Sequence, residues 1–185
     1  MPILGIVAAG GGFTKFGDFY QIASSTATGG SVSDITFSSI PQDYTHLQIR
    51  GIHRSASTSG TIDMQFNADT ATNYSRHFVI GDGATASVGA SASTNLLRIL
   101  NSASSASTSN CFGGVIVDIL DYTNTNKFKT VKNISGVDLN GSGSVELRSG
   151  NWRSTNAITS IKIFNDSGNS LAQYSSFALY GIKAS

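Results

Sequence analysis

The chain has 185 residues, enough for one domain with a single sizeable core. Charged residues make up 12% and the formal net charge is +1, so the positive field that gathers phosphate backbones or anionic lipid is missing, and neither nucleic acid nor membrane insertion is expected. Ser and Thr supply 46 residues and Asn 13, whereas Glu occurs once and Lys six times. Hydroxyl and amide side chains compete for their own backbone and disfavour helix. With 39% hydrophobic residues, ten Phe and six Tyr, the chain can still form a core that disordered chains lack. A folded, β-rich protein is the expectation.

Residues 1–17, "MPILGIVAAGGGFTKFG", come first. A secretory signal needs basic residues ahead of its apolar run; here the first lysine is Lys15, behind it. A bilayer-spanning helix needs about 20 apolar residues, more than this run holds. Ile3, Leu4, Ile6 and Val7 are nevertheless costly to leave in water, since burying each is worth ~1.5–3 kcal/mol. They are expected to form an intersubunit arm hinged at Gly10, Gly11 and Gly12, with Phe13, Phe16 and Phe19 as further contacts. Residues 18–185 form the folded domain.

Within that domain, short apolar alternations are punctuated by Gly, Ser, Asn and Asp, the mark of half-buried strands. Val32, Ile35 and Phe37 precede a break at Pro41. In "YTHLQIRGIHR", Leu47 and Ile49 share one face, and His46, Gln48 and Arg50 the other. "TIDMQFN" places Ile62, Met64 and Phe66 inward, with Asp63 and Gln65 outward. "YSRHFVIGDG" pairs Phe78 with Ile80 before a turn. "TNLLRIL" follows, and then "CFGGVIVDIL", whose near-continuous apolar run predicts a central strand covered on both faces. "KFKTVKNI", "SVELRSG", "AITSIKIF" and "QYSSFALYGIK" complete about ten strands, with turns at Asn140-Gly141 and Asp166-Ser167-Gly168. "SASTSG" and "NSASSASTSN" read as exposed loops. The pattern predicts an all-β, antiparallel jelly-roll-like sandwich with an extended N-terminal arm. The alternative is an immunoglobulin-like sandwich, whose paired cysteines are missing.

Reactive groupings are sparse. Cys111 is the one cysteine and reads as a small buried hydrophobe. His46 and His53, an odd number of residues apart, face opposite sides of a strand, and no further His or Cys supplies a zinc set. Asp63, Asn67, Asp69 and Asn73 could offer oxygens to calcium, but their spacing matches no EF-hand loop. Asp118 and Asp121 point to opposite faces, and a strand-end turn with Asn124 is the simpler role. "GSGS" at 141–144 lacks the strand-to-helix context of a nucleophile elbow, and "AAGGGFTKFG" lacks the ending of a phosphate cradle. No catalytic, cofactor or metal residue is assigned, and the chain is not expected to be an enzyme. Trp152 and Tyr122 sit beside turn residues, where their rings could stack on a sugar or fill a subunit seam, with Asn124, Asn151 and Arg153 as polar neighbours.

"DITFSSIP", "YTHLQIRGI", "NYSRHFVIGDG", "DILDYTNTNKFKT", "GSGSVELRSGNWRST" and "YSSFALYGIK", together with the opening "MPILGI" and "GDFYQIAS", resemble a family of small virion proteins of tailed bacteriophages of the structural, tail-fibre or head-decoration type. The resemblance implies a β-sandwich that assembles as a multimer, often a homotrimer, on capsid or tail proteins of the virion, and carries no catalytic residues over. With no coiled coil, collagen-like repeat or β-helical period for a shaft, it implies a compact decoration or cement unit ahead of a fibre or adhesin module that binds host surface glycan.

Overall fold

The computed structural model describes residues 19–58 and 60–183. Ile3, Leu4, Ile6, Val7, Phe13 and Phe16 lie outside the described residues. Phe19 does not belong to an arm: it opens the first strand, opposite Ile182.

Twelve strands occur among the described residues: β1 (Phe19–Thr26), β2 (Asp34–Phe37), β3 (His46–His53), β4 (Thr61–Phe66), β5 (Tyr74–Gly81), β6 (Ala86–Thr94), β7 (Leu97–Asn101), β8 (Gly113–Leu120), β9 (Lys129–Asp138), β10 (Gly143–Trp152), β11 (Ile161–Asn165) and β12 (Ser176–Ile182). A single 3-10 turn, Asp166–Gly168, follows β11. The strands form an eight-stranded sheet, β1-β12-β3-β8-β9-β10-β5-β6, and a four-stranded sheet, β2-β11-β4-β7. All strand pairings are antiparallel.

The connectivity is that of a jelly roll with two insertions. Without the β5–β6 and β9–β10 hairpins, the remaining strands alternate between two four-stranded sheets, and each pairs with a partner nested inward from the other end of the chain: β1 with β12, β2 with β11, β3 with β8, β4 with β7. The hairpins extend the larger sheet beyond β8. Asn140 (φ 63°) and Gly141 (φ 102°) close β9 onto β10, with the Leu139 amide donating to the Ser142 carbonyl at 2.8 Å, the tight turn that Asn-Gly favours. Asp82 accepts from the Ala84 and Thr85 amides at 2.9 and 2.6 Å and shapes the turn into β6.

The core fills the gap between the sheets. Leu47, Ile49, Val117, Ile119 and Leu179 from the larger sheet meet Ile62, Met64, Phe66, Ile161 and Ile163 from the smaller one, all fully buried. Each is worth ~1.5–3 kcal/mol of transfer free energy. Phe66, Tyr74 and Trp152 close one end, with ring centroids 5.5–6.4 Å apart.

Several sequence expectations need correction. Asp63 and Gln65 are buried, like their apolar neighbours on β4, because Arg98 of β7 caps Asp63 at 3.2 Å and Gln65 donates to the Asn95 carbonyl at 2.8 Å. The stretch 101–110 is not simply exposed: Ala103 is fully buried, and Arg54 pins the loop through the Thr108, Cys111 and Ser107 carbonyls at 2.7, 2.9 and 3.0 Å. Cys111 is half-buried. β8 is central, as expected, but only one of its faces is covered, with Ile116 left 39% exposed on the other.

Candidate assembly surface

Because side chains alternate along a strand, register decides which residues share the outer face of the larger sheet. Reading across from β12 to β6, one row is Ala178, Arg50, Ile116, Ile134, Leu147, Val79 and Val88. Its last five members are aliphatic and stand 39, 54, 59, 49 and 76% exposed. The adjoining row is Ser176, Ile52, Gly114, Gly136, Val145, Gly81 and Ala86, with Ile52 and Val145 also exposed. Together these leave on the order of 600 Å² of apolar surface on one face, at the top of the ~300–600 Å² range for the largest patch of a typical monomer.

Polar groups border the patch. The row on its other side is Tyr180, Gln48, Asp118, Lys132, Ser149, His77 and Ala90. Gln48 donates to Asp118 at 2.8 Å and accepts from Arg50 Nε at 2.8 Å. The Arg50 guanidinium lies 5.6 Å from the centroids of both Phe19 and Tyr180, so it is held at the rim by two rings. Where the glycines lower the sheet surface, a trough of about 680 Å³ opens over β1, β12, β3, β8 and β9, with Arg50 and Tyr180 among its lining residues. A Cβ on Gly114, at its floor, would meet nothing within 4 Å.

The rings expected at the rim lie elsewhere. Trp152 is 2% exposed and Tyr122 0%; the indole N–H donates to Asp69 at 2.7 Å, and the Tyr122 hydroxyl donates to the Pro41 carbonyl. Neither ring is available to stack on a sugar, which removes the basis for the glycan site. Burial raises the Tyr122 pKa. Asn124 and Asn151 serve Lys129, which is buried: its ammonium donates to the carbonyls of Asn124, Lys127 and Thr155 at 2.5, 3.1 and 3.1 Å, and the Asn151 amide donates to the Lys129 carbonyl at 3.4 Å. Burial lowers the Lys129 pKa, opposed by the Asp121 carboxylate. Arg153 donates to the Thr72 carbonyl at 2.5 Å.

The other chemistry-bearing side chains are engaged in the fold. Asp69 also accepts from Asn73 and the Ala71 amide, at 2.9 Å each, and these bonds with Trp152 hold its pKa below the usual carboxylate range despite some desolvation. Asn67 accepts from the Thr159 and Ser160 amides at 2.8 and 3.1 Å. Asp121 and Asn124 do form a strand-end turn, the Asn124 amide donating to the Asp121 carbonyl at 3.0 Å. Asp121 pairs with Lys127, which lowers its pKa. His53 is buried and His46 lies at the opposite face of β3, its Nδ1 accepting from the Asp121 amide at 3.0 Å.

The outer-face residues Val79, Val88, Gly114, Ile116, Ile134 and Leu147 were not identifiable as a site from sequence. In "SVELRSG" the alternation is plain, but it is Glu146 and Arg148 that are buried, paired at 2.7 Å, while Val145 and Leu147 face outward. Alternation separates two faces without saying which is the core. The one available signal was "GGVIVDIL", apolar on both parities. Compared with protein-family models, curated proteins and solved structures, the chain finds no match.

Proposed function

We propose that the protein is a structural component of a bacteriophage virion, of the decoration or cement type. It assembles with copies of itself as a homotrimer and attaches to capsid or tail proteins. One observation supports this reading above the others: β8 has the composition of a strand covered on both faces, yet its outer face and the aliphatic row extending from it to β6 lie uncovered among the described residues. A second subunit supplies the missing cover. The virion assignment rests on the sequence resemblance, and the apolar row supports the assembly that the resemblance implies. With Trp152 and Tyr122 buried, the glycan-binding alternative has no exposed ring at those positions.

Light scattering tests the assembly. The purified chain, 19.3 kDa as a monomer, is expected to run as a multimer. The Ile134→Lys, Leu147→Lys double variant, altered only on the outer face, is expected to keep its circular dichroism and become monomeric, because charges at the centre of a packed face are desolvated without partners. A monomeric parent protein sinks the proposal. Antibody labelling of purified particles then reads its place on head or tail.

A further inference from the structure

We infer that a small cavity between the two sheets binds a single monoatomic anion, with chloride the common ion of that size, through the side chain of Arg76. The site is separate from the outer face and does not depend on the assembly proposed above. It lies where the inserted hairpins pass over β7, the edge strand of the smaller sheet. Register sets its walls. On the inner face of the larger sheet, Val131, Gly150 and Arg76 form one row and Asn133, Arg148 and Phe78 the next, while Leu97, Arg98 and Ile99 of β7 close the other side. Gly150 lets β7 come close, since a Cβ there would lie 2.7 Å from the Leu97 side chain. The cavity is about 10 Å³, room for one small ion or one water and too little for phosphate or sulfate.

Three arginines line this space, and only two of them are paired. Arg98 reaches Asp63 and Asp166 at 3.2 and 3.0 Å. Arg148 reaches Glu146 at 2.7 Å and lies over the Phe78 ring. Arg76 forms no ion pair among the described residues, and its Nε and Nη1 are buried without an acceptor. Buried donors of a cation call for an acceptor, best a charged one. Burial and the like charges of Arg98 and Arg148 press the Arg76 pKa down, over the pull of Asp63, and an anion in the cavity relieves that pressure. Asn133 completes the site. Its Oδ1 is buried without a partner, and a half-turn of the amide presents the NH2 group as a further donor. In the other orientation Asn133 accepts, and the cavity suits a water; the unpaired charge of Arg76 favours the anion.

Bromide substitutes for chloride and can be located directly. Crystals of the full chain grown in sodium bromide, measured at the bromine absorption edge, are expected to show an anomalous peak within hydrogen-bond distance of Arg76 Nη1. An ordered water there without anomalous signal overturns the inference. In solution, thermal melts at fixed ionic strength exchange gluconate, too large for the cavity, for chloride. Chloride at about ten times its dissociation constant should raise the parent's melting temperature by about 3–6 °C and then saturate. Arg76→Gln should lose that response, whatever its own melting temperature, whereas Arg50→Gln on the outer face should keep it. A flat response in the parent, or an equal rise in Arg76→Gln, also overturns the inference.

Discussion

His53 and Asp63 are both fully buried, and each faces a charge that the interior disfavours. His53 stacks on Phe177, ring centroids 6.2 Å apart, and burial pulls its pKa from 6.5 to about 3. As pH falls below 6.5 the unfolded chain takes up a proton that the folded protein refuses, so stability is lost as pH drops toward 3. Asp63 acts in the opposite sense. Burial pushes its pKa up to about 6, over the opposing pull of Arg98, so the folded state holds a proton that the unfolded chain releases above 3.8. Its contribution is complete at low pH and is lost as pH rises toward 6. Between about pH 4 and 6 the two oppose each other. Urea melts across that window should show Asp63→Asn losing stability on acidification more steeply than the parent, and His53→Phe less steeply. Identical slopes in all three would contradict the assignment. The Arg98 partner of Asp63 was not legible in the sequence, because it is 35 residues away and alternation placed Asp63 in solvent.

At the level of the strands, register turns neighbouring glycines into opposites. Gly51 on β3 and Gly114 on β8 occupy adjacent rungs, Gly51 opposite Val115 and Gly114 opposite Ile52, but they face different sides of the sheet. A Cβ at Gly51 would lie 2.2 Å from the Phe177 ring, whereas one at Gly114 meets nothing within 4 Å. Gly51→Ala is expected to destabilise by about 1–3 kcal/mol through overpacking. Gly114→Ala should be neutral or stabilising by up to ~1 kcal/mol, since glycine weakens a strand interior. Thermal melts of the two variants give the comparison, and equal losses would mean that the outer face is already filled. Most strand positions and the Asn140-Gly141 turn were readable from short-range pattern; β1 and β6, rich in Ser and Ala, were not among the strands expected. The covering of each face was not, because it depends on which strands the other sheet reaches.

For the molecule as a whole, the outer face of the larger sheet combines an aliphatic row with few charges, so its assembly is expected to rest on apolar contact and backbone hydrogen bonding. Raising salt to ~1 M, where the Debye length is about 3 Å, should leave the proposed multimer intact. Cooling should weaken it, because hydrophobic stabilisation fades at low temperature. Sedimentation at both extremes checks this, and dissociation by salt would shift the weight to charged side chains on that face such as Asp118 and Lys132.

Composition and short-range alternation determined that this chain builds sheets: its many hydroxyl and amide side chains disfavour helix, and its alternating apolar residues need a shared core. Tertiary structure alone decided how that core is allotted. The jelly-roll nesting lets a four-stranded sheet cover one side of an eight-stranded one, and the inserted hairpins put Val79, Val88, Ile134 and Leu147 on the uncovered side. Which face of a strand is buried follows from what lies above it, and the strand's own residues do not encode the position of that neighbour.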